Sequence, residues 1–231
     1  DVLEQRTAID YHDCSHWWLV DKTTEKIYDI LEFYPSQNNI VAQNISKVIN
    51  IPSDNIFVGN GAIECIQHIL QRFVHGKLLI NIPTFSSYYE FVNNDTEVVY
   101  NNLNESENFE INIEKYIKKV EEENINNIVL INPNNPDGGY ISSDNIKHII
   151  TKLKHIDNII IDESFIHFVD SSPNESSLCD MILEYDNITV IKSMSKDFGI
   201  AGIRAGYAVL SKKRKDQLLS NGFLWNQNGL S

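Results

Sequence analysis

The chain has 231 residues, of which 42% are hydrophobic and 22% are charged, a composition that is ordinary for a globular protein. Its formal net charge of −13 disfavours nucleic acid as a partner, because an acidic surface repels phosphate backbones. No apolar run approaches the roughly 20 residues of a membrane span, and three scattered cysteines without a CxxC motif favour a reducing compartment, the cytoplasm.

Predicted helices and strands alternate along the chain. Apolar periodicity predicts helices over 24–33 and 40–49, before a glycine turn at 59–61 that opens a third helix. The predicted strands cover 55–58, 78–82, 97–100, 127–131, 159–162, 188–191 and 205–210, and the later helices cover 86–92, 113–123, 144–154 and 177–185. This alternation predicts an α/β fold, a three-layer α/β/α sandwich with a mostly parallel central sheet.

A buried carboxylate is predicted within residues 158–165 (NIIIDESF). Three consecutive isoleucines, 159–161, indicate a strand that is covered on both faces. Asp162 then lies at the interior end of this strand, where an unpaired charge is costly. The sequence therefore predicts a cationic or hydrogen-bonding partner for Asp162.

Other unusual residues also follow predicted strands, and ligands of open α/β sheets bind at the carboxyl ends of strands. Lys196 follows the strand at 188–191, where a partly desolvated amine can react with an aldehyde. A solvated turn lysine is the ordinary explanation when Lys196 is considered alone. In the string SMSKDFGIAGIRAG, Arg204 lies among small residues that allow close approach of a phosphate.

Two further segments favour a ligand only in combination with these residues. The glycine turn at 59–61 precedes a helix whose free N–H groups attract anions, although such turns are common. The segment 132–139 (NPNNPDGG) offers asparagine amides after a strand, and a strand-ending turn is the favoured explanation when the segment is considered alone. Neither segment defines a site by itself.

Together the motifs resemble one family. The matching strings are YP at 34–35, VGNGAIE at 58–64, PTFSSY at 83–88, NPNNPDGG at 132–139, IIIDESFIHF at 159–168 and SMSKDFGIAGIRAGY at 193–207. In this order they resemble the fold-type I, pyridoxal-phosphate-dependent aminotransferases of classes I and II, in the branch of histidinol-phosphate aminotransferases and threonine-phosphate decarboxylases. The resemblance implies pyridoxal 5'-phosphate as the cofactor and a homodimer as the assembly.

The resemblance also implies a role for each matching residue. Lys196 matches the Schiff-base lysine and Asp162 the aspartate that pairs with the pyridinium nitrogen, so both are implied to be catalytic. The partner expected for Asp162 is thus a protonated ring. The other implied cofactor contacts are Asn135 at the phenolic oxygen, Phe165 where the family often has a tyrosine at that oxygen, Phe85 stacked on the ring, Gly61, Ala62, Ile63, Ser193, Ser195 and Arg204 at the phosphate, and Tyr34 reaching the site of a partner subunit.

The resemblance implies a domain division as well. Residues 1–50 are expected to form an N-terminal segment or arm, 51–210 the large cofactor-binding domain, and 211–231 the start of a linker. Family members continue into a small C-terminal domain that holds the substrate carboxylate. That domain is expected to be missing here, which suggests a longer or fused polypeptide.

The amino-terminal segment 10–16 (DYHDCSH) departs from the family pattern. It contains residue types that bind metals, namely His12, Asp13, Cys14 and His16. Their irregular spacing favours a loop or an interface arm, so no metal site is predicted.

The leading functional expectation is an aminotransferase that moves an amino group between an amino acid or phosphorylated amine and a 2-oxo acid. The alternatives are a pyridoxal-phosphate-dependent amino-acid decarboxylase on the same scaffold and a truncated cofactor-binding module without turnover. A nucleotide-binding module is disfavoured, because no phosphate-loop lysine motif follows the glycine turn.

Overall fold

The computed structural model describes residues 21–169, 176–220, 222 and 226–229. Its centre is a seven-stranded sheet in the order β1-β7-β6-β5-β4-β2-β3. The strands are β1 Ile56–Asn60, β2 Gly76–Ile82, β3 Thr96–Asn102, β4 Asn127–Ile131, β5 Asn158–Asp162, β6 Ile188–Ser193 and β7 Ala205–Leu210. Strand β7 pairs antiparallel with β1 and β6, whereas the other pairings are parallel. The predicted mostly parallel sheet is therefore confirmed.

Helices cover both faces of this sheet, which confirms the predicted three-layer sandwich. The helices with defined bounds are α1 Ile27–Glu32, α2 Asn38–Ile49, α3 Ala62–Phe73, α4 Ser87–Glu90, α5 Ile113–Glu122, α6 Ser143–Leu153, α7 Met194–Asp197 and α8 Lys212–Leu219. The apolar sides of α5 and α6 pack in the core cluster on one face, and the apolar side of α3 packs in the cluster on the other.

Side-chain alternation along β5 explains why three consecutive isoleucines are buried. Ile159 and Ile161 belong to the core cluster shared with α5 and α6, whereas Ile160 belongs to the cluster shared with α3. All three are 0% exposed, and burying such a side chain stabilises the fold by about 1.5–3 kcal/mol. Because successive side chains alternate, Asp162 projects on the same face as Ile160, toward α3.

Two segments differ from the sequence prediction beyond the exact ends of elements. The helix predicted over 177–185 is a shorter 3-10 helix, Cys179–Leu183. Residues 177 and 178 lie outside this helix, because the Ser177 hydroxyl and the Leu178 N–H both donate to the buried carboxylate of Glu163. The sequence also did not predict α8, whose Leu218 is 1% exposed.

The amino-terminal edge of the sheet is closed by side-chain hydrogen bonds. The Asn158 amide donates to the Phe73 carbonyl at 2.8 Å and to the Asn127 side chain at 2.5 Å. Arg214 of α8 donates to Asn158 Oδ1 at 2.6 Å, and its guanidinium lies 5.1 Å from the centroid of the Phe73 ring. The side chains of Asn127, Asn158 and Arg214 are thus hydrogen-bonded to one another.

Among the residues that the structure describes, no helix combines the length and apolar character that a membrane span requires.

Candidate active site

Asp162 ends β5 at the carboxyl-terminal edge of the sheet and is only 4% exposed. Its carboxylate accepts hydrogen bonds from the Ser164 N–H at 2.8 Å and from the Tyr88 hydroxyl at 2.7 Å. Burial raises the pKa of Asp162, and the hydrogen bonds from Ser164 and Tyr88 oppose that rise. Burial, reinforced by Asp162, raises the pKa of Tyr88 well above 10, so this hydroxyl remains a donor. A cation placed beside Asp162 would favour its ionised form.

A second polar wall forms where α3 begins. Gly61 turns the chain into α3 at a φ of 85° and, as a glycine, cannot cap the helix with a side chain. The first-turn N–H groups of Ala62 and Ile63 therefore form a positively polarised end that suits an anion. Arg204 lies against this turn, since a Cβ at Gly61 would lie 2.5 Å from its Nη2 atom. Gly206 has a similar role, because a Cβ there would collide with the main chain of Ala62.

Lys196 lies on α7, directly after β6. The N–H of Ser195 donates to Ser193 Oγ at 3.3 Å, and the N–H of Ser193 donates to Ser164 Oγ at 3.2 Å. These bonds tie the lysine-bearing turn to the chain just after Asp162. The Nζ atom of Lys196 lies 5.6 Å from the centroid of the Phe165 ring.

The surroundings of Lys196 match a solvated turn lysine, the ordinary explanation when this residue is considered alone. Lys196 is exposed, and so is Arg204. The reason is the position of α7, which continues past the end of β6 at the open edge of the sheet.

These groups line one cavity of about 230 Å³ at the carboxyl-terminal edge of the sheet. Its lining residues are Ala62, Ile63, Ile66, Phe85, Ile131, Asn135, Asp162, Ser164, Phe165, Ser193, Ser195, Lys196, Ala201 and Arg204. All predicted site residues are among them except Gly61 and Tyr34. The volume lies below the roughly 300–1,000 Å³ of pockets for drug-sized ligands, so it suits a compound built on a single ring.

A larger cavity, of about 450 Å³, borders the far side of the loop that contains Asn134 and Asp137. It contains none of the predicted site residues. The smaller cavity is the better candidate, because it combines an amine, a buried carboxylate and a guanidinium around one space.

The two predicted residues outside the lining have different explanations. Gly61 lies behind the wall and acts by letting Arg204 approach the start of α3. Tyr34 follows α1 and is 80% exposed, so within one chain it does not reach the cavity. Its expected contact with a partner subunit stays a prediction.

The segment with metal-binding residue types, His12, Asp13, Cys14 and His16, lies outside the described residues. Within the described ranges, no group of three or more His, Cys, Asp or Glu residues is arranged to hold a metal ion.

The sequence interpretation missed the two residues that hold Asp162. Ser164 had a local signal, because an aspartate often accepts a hydrogen bond from the N–H two residues later, as in an Asx turn. Tyr88 had none, since it meets Asp162 across a separation of 74 residues. Only the packing of α4 against β5 reveals that contact.

The donor set fits the cofactor that the resemblance implies. Arg204 and the amino terminus of α3 suit a phosphate, and Asp162 suits a protonated ring nitrogen. The amine of Lys196 suits an aldehyde. Phe165 presents no hydroxyl, which leaves the Asn135 amide as the polar group for a phenolic oxygen. The roles of these residues remain predictions.

Comparisons with known proteins agree with the resemblance seen in the sequence. The family described as aminotransferase class I and II matches residues 10–223. The chain is 51% identical over 209 residues to L-serine phosphate decarboxylase Cj1436c of Campylobacter jejuni, covering 90% of this chain and 54% of that protein. It is 31% identical over 211 residues to histidinol-phosphate aminotransferase of Methanocaldococcus jannaschii, covering 88% and 55%. The chain thus spans about half the length of the curated relatives it matches.

Solved structures share the fold. A decarboxylase from Sulfurospirillum multivorans matches with a TM-score of 0.84 and 40% identity, covering 94% of this chain and 57% of that one. A histidinol-phosphate aminotransferase from Sinorhizobium meliloti, in complex with pyridoxal-5'-phosphate, matches with a TM-score of 0.77 and 15% identity, covering 94% and 58%. The predicted α/β fold is therefore confirmed.

Proposed function

This chain belongs to the aminotransferase class I and II family, whose enzymes depend on pyridoxal phosphate, and we propose that it forms the cofactor-binding part of a decarboxylase acting on a phosphorylated amino acid. The expected family and cofactor are confirmed. The observation that carries the proposal is the 51% identity to an L-serine phosphate decarboxylase, against 31% to a histidinol-phosphate aminotransferase. The decarboxylase alternative from the sequence analysis is therefore favoured over the leading aminotransferase interpretation.

In this proposal the polar walls of the cavity hold pyridoxal phosphate, whose ring, when bound, withdraws electrons from the α carbon of the substrate. Arg204 and the amino terminus of α3 bind the phosphate. Because the cofactor phosphate does not react, its binding serves to orient the ring. Asp162, held by Tyr88, keeps a proton on the ring nitrogen, and Phe85 packs against the ring.

Lys196 has two tasks. Its Nζ atom would hold the cofactor at the aldehyde carbon until a substrate amine takes its place. After displacement, Nζ holds a proton and can deliver it to the substrate carbon. In a decarboxylase the carboxylate leaves as carbon dioxide and Lys196 returns a proton to the same carbon. In an aminotransferase, Lys196 must instead remove a proton from that carbon.

Product analysis separates the two reactions. The protein is incubated with pyridoxal phosphate and L-serine phosphate, with and without a 2-oxo acid. Carbon dioxide released without the 2-oxo acid supports the decarboxylase. Conversion of the 2-oxo acid into its amino acid without carbon dioxide would support the aminotransferase, the second candidate, which the matching family favours.

We also propose that the protein is a homodimer. Around α1 the side chains of Tyr28, Leu31 and Tyr34 are 83%, 77% and 80% exposed, an apolar surface of the kind that marks interaction sites. Light scattering coupled to size-exclusion chromatography tests this, and a monomer at micromolar concentration would contradict it. The cytoplasm is the proposed compartment, supported by the free, buried thiols of Cys65 and Cys179.

A further inference from the structure

A buried ionic cluster lies directly behind Lys196. Asp197, the next residue on α7, has a side chain that is only 6% exposed. The Nζ atom of Lys192, on β6 and 4% exposed, lies 2.5 Å from Asp197 Oδ2. The Nδ1 atom of His167 lies 2.8 Å from the same oxygen. Lys192 also donates to the carbonyl of Glu163 at 3.0 Å. One carboxylate oxygen therefore meets two nitrogens from two different segments.

Stability alone does not explain this cluster. Desolvating two charges costs several kcal/mol each, so a buried ion pair is often no more stabilising than an apolar pair of the same size. Within the described part of the chain, neither oxygen of Asp197 has a partner with good hydrogen-bond geometry, although the charges are in contact. The close contacts with Lys192 and His167 hold Asp197 in place.

The position of the cluster indicates what it does. Lys196 and Asp197 are neighbours on one helical turn, where successive side chains point about 100° apart. Fixing the inward side chain of Asp197 therefore fixes the outward direction of Lys196. His167 follows Phe165 by two residues, and the Lys196 amine lies over the ring of Phe165. The carboxylate thus ties the lysine-bearing turn to the segment that forms the opposite wall.

We propose that Asp197, held by Lys192 and His167, is a positioning residue that aims the amine of Lys196 at the cofactor aldehyde. This inference depends on the cofactor site proposed above. Lys192 supplies the counter-charge and not a second nucleophile, because its own amine is buried and paired.

A double-mutant cycle tests the proposal without measuring turnover. The affinity for pyridoxal phosphate is measured for the unmodified protein, Asp197→Asn, Lys196→Ala and the combined variant. We expect Asp197→Asn to weaken binding about tenfold when Lys196 is present and less than about twofold when it is absent, because the cycle isolates the coupling between the two side chains. Equal losses in both backgrounds, or no loss when Lys196 is present, would overturn the proposal.

Two controls keep the test decisive. Asp197→Asn leaves the charge of Lys192 buried, so a second variant combines it with Lys192→Met to remove both charges. That variant should fold and still bind pyridoxal phosphate about tenfold more weakly; normal binding by this variant would also overturn the proposal. Asp216→Asn breaks an exposed pair with Lys212 at 2.7 Å and should leave affinity unchanged. An unmodified protein that binds no pyridoxal phosphate would instead refute the proposed function.

Discussion

Both edges of the central sheet carry polar groups, but these groups are arranged differently. At the amino-terminal edge, Arg214 donates to Asn158 at 2.6 Å and to the Asp157 carbonyl at 2.9 Å. At the carboxyl-terminal edge, Lys196 and Arg204 are exposed at a cavity, and Arg204 donates to the Ala201 carbonyl over a long 3.4 Å. Polar composition therefore does not locate a site. What distinguishes the second edge is that its charges face a common space.

The basic run at 212–215 (KKRK) illustrates the same point. Its four cations in an acidic chain suggest an anion site more strongly than the single Arg204 does. However, Lys212 pairs with Asp216, and Lys215 donates to the Ser53 carbonyl at 2.6 Å. The buried Lys215 thus serves the fold, and no residue of this run lines the candidate cavity.

The largest expected effect follows from removing the charge of Asp162. Asp162→Asn keeps the size of the side chain but cannot stabilise a protonated ring nitrogen. We expect turnover to fall by about 100-fold or more, the scale of a lost acid–base group. The rate of product formation at saturating pyridoxal phosphate checks this, with Asp216→Asn as the matched control. Activity within about twofold of the unmodified protein would remove Asp162 from the mechanism.

The next largest expected effect is on binding of the cofactor phosphate. Arg204→Met removes the guanidinium at the start of α3, so we expect affinity for pyridoxal phosphate to fall by about 10- to 30-fold. Affinity for pyridoxal, which lacks the phosphate, should change little. Calorimetric titration with both compounds measures the difference. If both affinities fell equally, Arg204 would be shaping the cavity and not binding phosphate.

For Arg214→Met, at the amino-terminal edge, we expect the opposite result: lower stability and unchanged cofactor affinity. It removes the hydrogen bonds to Asn158 and Asp157 and leaves the buried side-chain oxygen of Asn158 unpaired, which costs about 1–3 kcal/mol. The free energy of unfolding in urea should fall by that amount, whereas the affinity for pyridoxal phosphate stays unchanged. A loss of cofactor affinity with normal stability would break the distinction between the two edges.

Glu163 offers a further test of this difference. It adjoins Asp162, but its carboxylate accepts hydrogen bonds from Ser177 and Leu178 instead of facing the cavity. Burial raises the pKa of Glu163 from 4.5 to about 7. The folded state thus retains a proton that the unfolded state has lost, so stability is highest below about pH 4.5 and falls as pH rises through about 7. Glu163→Gln should remove a pH-dependent change in the free energy of unfolding of about 2–3 kcal/mol between pH 5 and pH 8, measured by urea unfolding. An unchanged slope would show that Glu163 does not titrate there.

Patterns local in sequence predicted the central strands and the site motifs, whereas contacts distant in sequence escaped prediction. The buried strand before Asp162 followed from three isoleucines, and the family motifs named the residues that gather at the cavity. Tyr88 was missed because its contact with Asp162 depends on packing between separate segments. The sequence left the exposure of Lys196 open, because a strand end can be buried or solvent-exposed, and the difference depends on what lies over it.

The covalent capture of an aldehyde by Lys196 is the central claim, and reductive labelling tests it most directly. The protein is mixed with pyridoxal phosphate, reduced with borohydride and digested, and the labelled peptide is identified by mass spectrometry. We predict one labelled residue, Lys196, and no label on Lys192, the buried lysine four residues earlier. Labelling at Lys192 or at surface lysines alone, or no labelling, would contradict the account.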